Sequence, residues 1–194
     1  MNRKKPWLKN YPENTPEEIV LDPRKTLVKV LDEAETEYPD NKAFANFGVS
    51  MSYRQVAKNS RSFAAYLQNV LGLKKGDRLA IMMPNLLQYP VAVFGALRAG
   101  LIVVNVNPLY TPRELEHQLR DSGAKAILIF EGSAHVLQEV MDKVSIEHVI
   151  ITKIGDCLGT MKGSLMNFVV KFVKRGIKSY RISNKIGFKS MMKR

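Results

Sequence analysis

The stretch from residue 78 to residue 152 decides the fold, because it carries four short apolar runs at regular intervals. These runs are RLAIMM (78–83), LIVVNV (101–106), KAILIF (125–130) and EHVIIT (147–152). Segments with a helical spacing of apolar residues separate each run from the next. Nearly continuous apolar strands that alternate with helices are typical of a parallel sheet covered on both faces. We therefore predict a doubly wound α/β domain with right-handed crossovers.

The segments that flank these runs carry ordinary helix and hairpin signals. Helical spacing predicts helices over residues 26–38 and 133–144, and two short runs within residues 43–53 predict a hairpin. Ser52 and Thr111 are each followed three residues later by Gln or Glu, which is the pattern of a capping box. We therefore expect a helix to begin after each of these two residues.

The positive charge of the chain is concentrated at one end. The 194 residues carry a net charge of +12, of which residues 151–194 hold 11 Lys and Arg against a single acidic residue. Residues 1–150 are almost neutral, so the charge does not describe a nucleic-acid-binding domain as a whole. We predict an N-terminal arm over residues 1–25, an α/β domain over residues 26–152, and a basic segment over residues 153–194.

A basic amphipathic helix is predicted within this last segment, followed by a frayed end or cut linker over residues 179–194. Its apolar face consists of Met161, Leu165, Phe168, Val169 and Phe172, and its basic face of Lys171, Lys174, Arg175 and Lys178. Two interpretations remain open. The helix packs on the α/β domain and leaves its basic face in water, or it lies on an anionic lipid surface.

The usual catalytic and phosphate-binding patterns are absent from the sequence. Neither G-x-G-x-x-G nor G-x-x-x-x-G-K-[ST] occurs, and the three histidines are widely separated. We therefore assign no catalytic, cofactor-binding or metal-binding residue. Asn85, Asn105 and Asn107 follow predicted strands at the edge where α/β sheets bind ligands, but helix caps and Asx turns are the favoured interpretation.

Composition places the chain among ordinary globular proteins, with 45% hydrophobic and 25% charged residues. The single cysteine, Cys157, indicates a reducing, cytoplasmic compartment. The longest apolar stretch, residues 86–109, is interrupted by Arg98 and punctuated by Pro90 and Gly100. A membrane-spanning helix is therefore not predicted there.

A resemblance to a known family is carried by residues 72–129, GLKKGDRLAIMMPNLLQYPVAVFGALRAGLIVVNVNPLYTPRELEHQLRDSGAKAILI. This stretch resembles the bacterial long-chain fatty-acid–CoA ligases of the adenylate-forming, AMP-binding superfamily. The most specific part is NPLYTPREL, residues 107–115, preceded by AGLIVVNV. Weaker similarity extends to WLKNYP near Trp7, FAAYL near Phe63 and MKGSLMNFVVKFVKR from Met161.

The resemblance implies a two-step ligase with ATP and CoA as co-substrates and Mg²⁺ bound to the triphosphate. A fatty-acid carboxylate attacks the α-phosphorus of ATP, which yields an acyl-adenylate and pyrophosphate, and the CoA thiol then displaces AMP. Together with the basic amphipathic helix, we expect a cytoplasmic protein that is peripheral on the inner face of the cytoplasmic membrane, and a possible homodimer. Nucleic acid is not an expected partner.

The motifs that carry this chemistry in the family are missing from residues 1–194. They are the glycine- and threonine-rich phosphate loop, the adenine-site motif, the ribose-binding aspartate and the lysine of the C-terminal domain. We therefore expect this chain to be an N-terminal fragment that is inactive by itself. The alternative is a noncatalytic membrane-surface or partner-binding module derived from such a gene.

Overall fold

A central sheet with helices on both faces forms the body of the protein. The computed structural model describes residues 5–174 and 176–192. The strands are β1 Lys42–Asn46, β2 Val49–Ser52, β3 Arg78–Met82, β4 Ile102–Val106, β5 Ala126–Phe130, β6 His148–Thr152 and β7 Ile186–Gly187. The α-helices are α1 Leu27–Glu37, α2 Tyr53–Asn69, α3 Gln88–Arg98, α4 Pro112–Ser122, α5 Ala134–Gln138, α6 Thr160–Phe168 and α7 Phe188–Met191.

The main sheet has five strands in the order β4-β3-β5-β6-β7, and every neighbouring pair is parallel. The four apolar runs of the sequence form β3 to β6, which confirms the predicted α/β fold with a parallel sheet. The predicted hairpin is also present, as the antiparallel pair β1–β2 outside the main sheet. Because the strands alternate with helices, successive side chains of each strand are covered on opposite faces.

Two separate hydrophobic cores lie on the two faces of the sheet. Leu79, Leu128 and Ile150 pack on one face, together with residues of α2, α3 and α7. Ile127 and Ile129 pack on the other face, together with residues of α4 and α5. This alternation explains why the strands are apolar at almost every position, as a strand that is buried on both sides requires.

Local capping determines where the helices begin. The hydroxyl of Ser52 accepts a hydrogen bond from the backbone N–H of Gln55, whose side chain accepts from the backbone N–H of Ser52. Thr111 and Glu114 form the same reciprocal pair at the start of α4. Both predicted capping boxes are confirmed, because this signal depends only on residues three positions apart.

The predicted helix over residues 133–144 is wrong in its extent. The chain forms a 3₁₀ turn at Glu131–Ser133, the short α5, and a second 3₁₀ turn at Met141–Lys143. Val140 leaves the helical conformation with φ −124° and is fully buried in the core beside α5. Burial of this side chain outweighs the helical spacing that suggested a longer helix.

The predicted frayed end is wrong for residues 186–192. Ile186 and Gly187 extend the sheet as β7, and Phe188 and Met191 of α7 are fully buried. The ring of Phe188 lies 5.5 Å from that of Phe63 on α2. A two-residue strand followed by a single helical turn is too short to show periodicity, so sequence spacing did not reveal it.

Candidate functional site

The carboxyl ends of the strands form the edge at which open α/β sheets bind ligands. Two of the three asparagines expected there use their side chains in local structure. The Asn107 side chain accepts a hydrogen bond from the backbone N–H of Leu109 at 3.0 Å, which is the favoured Asx turn. The Asn105 side chain accepts one from the Tyr89 hydroxyl at 2.8 Å. The backbone carbonyl of Asn85 accepts from the Asn46 side chain.

A first cleft of about 550 Å³ lies beyond the ends of β3, β4 and β5. Its walls combine apolar and polar groups, including Pro84, Pro108, Phe130, Ser133, His135 and Lys178. The His135 ring nitrogen Nδ1 lies 3.0 Å from the carbonyl oxygen of Gly132. Such a lining can hold an amphipathic molecule, but it does not pair a nucleophile with a base.

A buried polar network connects the beginning of α3 with the end of β6. The amide of Gln88, which is only 1% exposed, donates to the Thr152 hydroxyl at 3.1 Å and to the carbonyl of Lys153 at 2.7 Å. The Thr152 hydroxyl in turn donates to the Asp156 carboxylate at 3.2 Å. The Lys153 backbone N–H also donates to this carboxylate, at 2.9 Å. Apolar spacing does not reveal this network, although the glutamine within an apolar helix was a usable signal.

Burial is the main cause of the raised pKa values around this network. It raises the pKa of Asp156, although the hydrogen bonds from Lys153 and Thr152 act in the opposite direction. It also raises the pKa of the Cys157 thiol to about 12, with a smaller contribution from the negative charge of Asp156. Since the thiolate is the reactive form, Cys157 is protonated and unreactive at neutral pH.

A second cleft of about 490 Å³ lies between α6 and the edge formed by β6 and β7. Glu131, which is mostly buried, accepts a hydrogen bond from the Tyr180 hydroxyl at 3.3 Å and lies 3.8 Å from the Lys153 ammonium. The Lys185 ammonium lies 4.7 Å from the centre of the Tyr180 ring. Burial, together with the charge of Glu131, raises the pKa of Tyr180 to about 12.

The predicted amphipathic helix is α6, which continues as a π-helical turn over Val169–Val173. Most of its predicted apolar face points away from the body of the protein. The exposed fractions are 89% for Met161, 64% for Leu165, 55% for Phe168 and 60% for Phe172. Val169 is half-buried. We call Met161, Leu165, Phe168 and Phe172 the exposed stripe.

The structure brings only part of the predicted basic face together. Lys171 and Lys174 are exposed at the end of the helical segment, and the Lys171 ammonium lies 5.3 Å from the centre of the Phe172 ring. Lys178 lies beyond the helical segment and lines the first cleft. Arg175 lies outside the described residues. The rings of Phe168 and Phe172 are 5.0 Å apart.

A pair of glycines holds this helix against the loop that follows β6. A Cβ atom at Gly163 would overlap the carbonyl oxygen of Gly155, and a Cβ atom at Gly155 would overlap the carbonyl oxygen of Gly163. The Asn167 side-chain oxygen accepts a hydrogen bond from the Gly155 backbone N–H at 2.8 Å. The helix is therefore attached through the side that carries Gly163, and the stripe on the other side remains exposed.

Comparison with known proteins identifies the class of this chain. The AMP-binding enzyme family matches residues 31–174, so the chain belongs to this family. It is 57% identical over 189 residues to a long-chain-fatty-acid–CoA ligase of Salmonella typhimurium. The match covers 97% of this chain but only 34% of that protein. The chain therefore spans about a third of the length of such curated relatives.

Solved structures confirm the fold. An anthranilate CoA ligase in complex with anthranoyl-AMP matches with a TM-score of 0.67 and 17% identity, over 85% of this chain and 27% of the other. A long-chain-fatty-acid–CoA ligase from Archaeoglobus fulgidus matches with a TM-score of 0.62 and 22% identity, over 76% of this chain and 30% of the other. The fold of this chain is thus shared with part of each of these two CoA ligases.

Within residues 5–174 and 176–192, the His, Cys, Asp and Glu side chains form no group of three or more that could hold a metal ion. Over the same part of the chain, none of the helices combines the length and the apolar character needed to cross a bilayer.

Proposed function

We propose that this chain is the N-terminal portion of a long-chain fatty-acid–CoA ligase. The supporting observation is the 57% identity to the Salmonella ligase over nearly the whole of the chain. The complete enzyme would join a long-chain fatty acid to CoA at the expense of ATP, with AMP and pyrophosphate as the other products. In this assignment the chain supplies the parallel sheet and its covering helices.

The chain by itself should be inactive. Its sequence lacks a glycine-rich loop that could orient a triphosphate. Without oriented donors, the charge that develops during phosphoryl attack is not stabilised.

A chimera tests the assignment directly. We would replace the matching third of the Salmonella ligase with this chain and measure palmitoyl-CoA formation from ATP, CoA and palmitate. A folded chimera should retain activity well above a no-protein control, whereas the isolated 194-residue chain should remain at the level of that control. A folded but inactive chimera would contradict the assignment, and acyl-CoA formed by the isolated chain would contradict its inactivity.

The exposed stripe favours a second role, at the membrane surface. Leucine, methionine and phenylalanine side chains that face solvent on one side of a helix are suited to the lipid interface. Lys171 and Lys174 would meet anionic headgroups, each with about 1 kcal/mol of attraction before screening by salt. An acyl chain is dissolved in the membrane, so a ligase gains access to its substrate there. The membrane surface of this proposal is the inner face of the cytoplasmic membrane.

Co-sedimentation with anionic vesicles tests this role. Phe168→Ser with Phe172→Ser should greatly reduce binding, because it removes the two aromatic side chains of the exposed stripe. The matched control is Val20→Ser with Leu21→Ser, since both residues are exposed in the N-terminal arm and lie outside the stripe. Equal binding by the two double variants, or no binding by the original chain at low salt, would contradict the membrane role.

A further inference from the structure

The second cleft flanks the exposed stripe. Ser164 and Asn167 of α6 line the cleft, and Lys171 follows them at a spacing of four residues. Residues at spacings of three and four share one side of a helix, so these three residues form a polar border beside Leu165 and Phe168. A lipid surface that binds the exposed stripe would therefore lie next to the cleft.

The neutral groups that line the cleft include the hydrogen-bond donors of Ser164 and Asn167. The Asn167 side-chain oxygen is occupied by the backbone N–H of Gly155 at 2.8 Å. The side-chain NH₂ of Asn167 is therefore left to donate to another acceptor in the cleft. Ser164 is exposed and contributes a hydroxyl to the same lining.

Three lysines and two carboxylates line the cleft, which leaves a positive excess of one charge. Glu131 already receives the Tyr180 hydroxyl and has Lys153 nearby. The Asp156 carboxylate is occupied by the Thr152 hydroxyl and the Lys153 backbone.

Two further lysines complete the lining. Among the described residues, neither Lys185 nor Lys189 forms an ion pair, although both line the cleft. Lys185 is positioned over the ring of Tyr180. The cleft therefore holds two ammonium groups that form no ion pair within the described part of the chain, although the charge of Lys189 also acts on the nearby Asp156 carboxyl and favours its ionised form.

We propose that this cleft binds the phosphate group of an anionic lipid headgroup. A phosphate offers only hydrogen-bond acceptors and negative charge, which complements Lys185, Lys189 and the Asn167 amide. The inference that this phosphate belongs to a lipid rests on the proposed membrane role. Insertion of the exposed stripe into the lipid interface would bring the cleft next to the headgroups. A free phosphomonoester offers the same chemistry, so the experiment must distinguish the two sources.

Vesicle binding provides the first test. Phosphatidylcholine vesicles would contain phosphatidate or phosphatidylglycerol, adjusted to equal surface potential. The original chain should prefer phosphatidate by roughly tenfold, the effect of about one additional charge-assisted hydrogen bond. Lys185→Gln with Lys189→Gln should abolish this preference. The matched control, Lys171→Gln with Lys174→Gln, removes the same charge outside the cleft and should weaken binding to both vesicles while preserving the preference.

A soluble ligand provides the second test. Titration with glycerol 3-phosphate should shift the NMR signals of the Asn167 side-chain NH₂ in the original chain and in the control variant, but not in the cleft variant. If the chain binds no vesicles and these signals still shift, the phosphate site stands with a soluble source and the membrane role fails. If the two variants lose the phosphatidate preference equally, or the Asn167 signals do not shift, the proposed site is wrong.

Discussion

The strands of the sheet and the helical segment that begins at α6 have similar apolar side chains in opposite environments. Leu128 in β5 is fully buried, because helices cover both faces of the sheet. Leu165 in α6 is mostly exposed, because its helix is attached through the opposite side, at Gly163. Apolar spacing thus identifies a face of an element, whereas the contact that covers this face depends on the rest of the fold.

The largest expected difference in the free energy of unfolding is between a buried phenylalanine of the core and an exposed phenylalanine of the stripe. Phe188→Ala removes a fully buried ring that packs on Phe63, and should lower the free energy of unfolding by about 4 kcal/mol. Phe172→Ala removes an exposed ring whose aromatic neighbour is Phe168, and should cost less than about 1 kcal/mol. Urea unfolding of both variants measures this difference. Similar losses would show that the exposed stripe is packed in solution.

The same contrast applies to the leucines. Leu128→Ala should lower the free energy of unfolding by about 3 kcal/mol, because it leaves a cavity between the sheet and the helices that cover this face. Leu165→Ala should change it by less than about 0.5 kcal/mol, since alanine favours the helix and little apolar area is lost. Unfolding in urea, followed by circular dichroism, provides the measurement. A large loss for Leu165→Ala would place this side chain in a buried interface.

The attachment of the amphipathic helix can be tested at its glycine contact. Gly163→Ala places a methyl group against the carbonyl of Gly155 and should lower the free energy of unfolding by about 2 kcal/mol. Ser164→Ala, at the next, exposed position, is the control and should be nearly neutral. Thermal unfolding of the two variants measures this difference in stability. If Gly163→Ala is neutral, the helix does not dock closely on the loop after β6.

The smallest expected effect is the pH dependence of stability to which Asp156 contributes. Burial raises the pKa of this carboxyl in the native state above its ordinary value of 3.8. The native state therefore holds the proton more tightly than the unfolded chain, and the ionised carboxyl opposes folding once the pH exceeds the native pKa. This penalty disappears as the pH falls through the native pKa towards 3.8. Asp156→Asn should therefore be the more stable form at pH 7, by about 1 kcal/mol or less.

A pH series of urea unfolding checks this expectation. The advantage of Asp156→Asn over the original chain should shrink as the pH is lowered and vanish below the ordinary pKa of an aspartate. Thr160→Ala serves as a control without a titratable group. An advantage that is independent of pH would mean that Asp156 does not titrate at a raised pKa in the folded protein.

Features that depend on residues close together in the sequence were predicted correctly, whereas features that depend on distant residues were missed. The capping boxes at Ser52 and Thr111 were predicted correctly, since their partners lie three residues away. The placement of β7 was missed, because two residues of strand carry no periodic pattern and their partner in β6 is distant in the chain. The polar network of Gln88 was missed for a related reason, since its contacts with Thr152 and Lys153 cross more than sixty positions.

By itself, the sequence determined the alternation of strands and helices, the starts of the capped helices and the resemblance to the adenylate-forming enzymes. Each of these depends on neighbouring residues or on a contiguous motif such as NPLYTPREL. Only the tertiary structure decided that the apolar side of α6 faces outward, that Phe188 is buried, and that Lys185 and Lys189 share a cleft with Asn167. The physical reason is that burial and charge pairing depend on which distant segments meet, and short-range spacing does not specify these contacts.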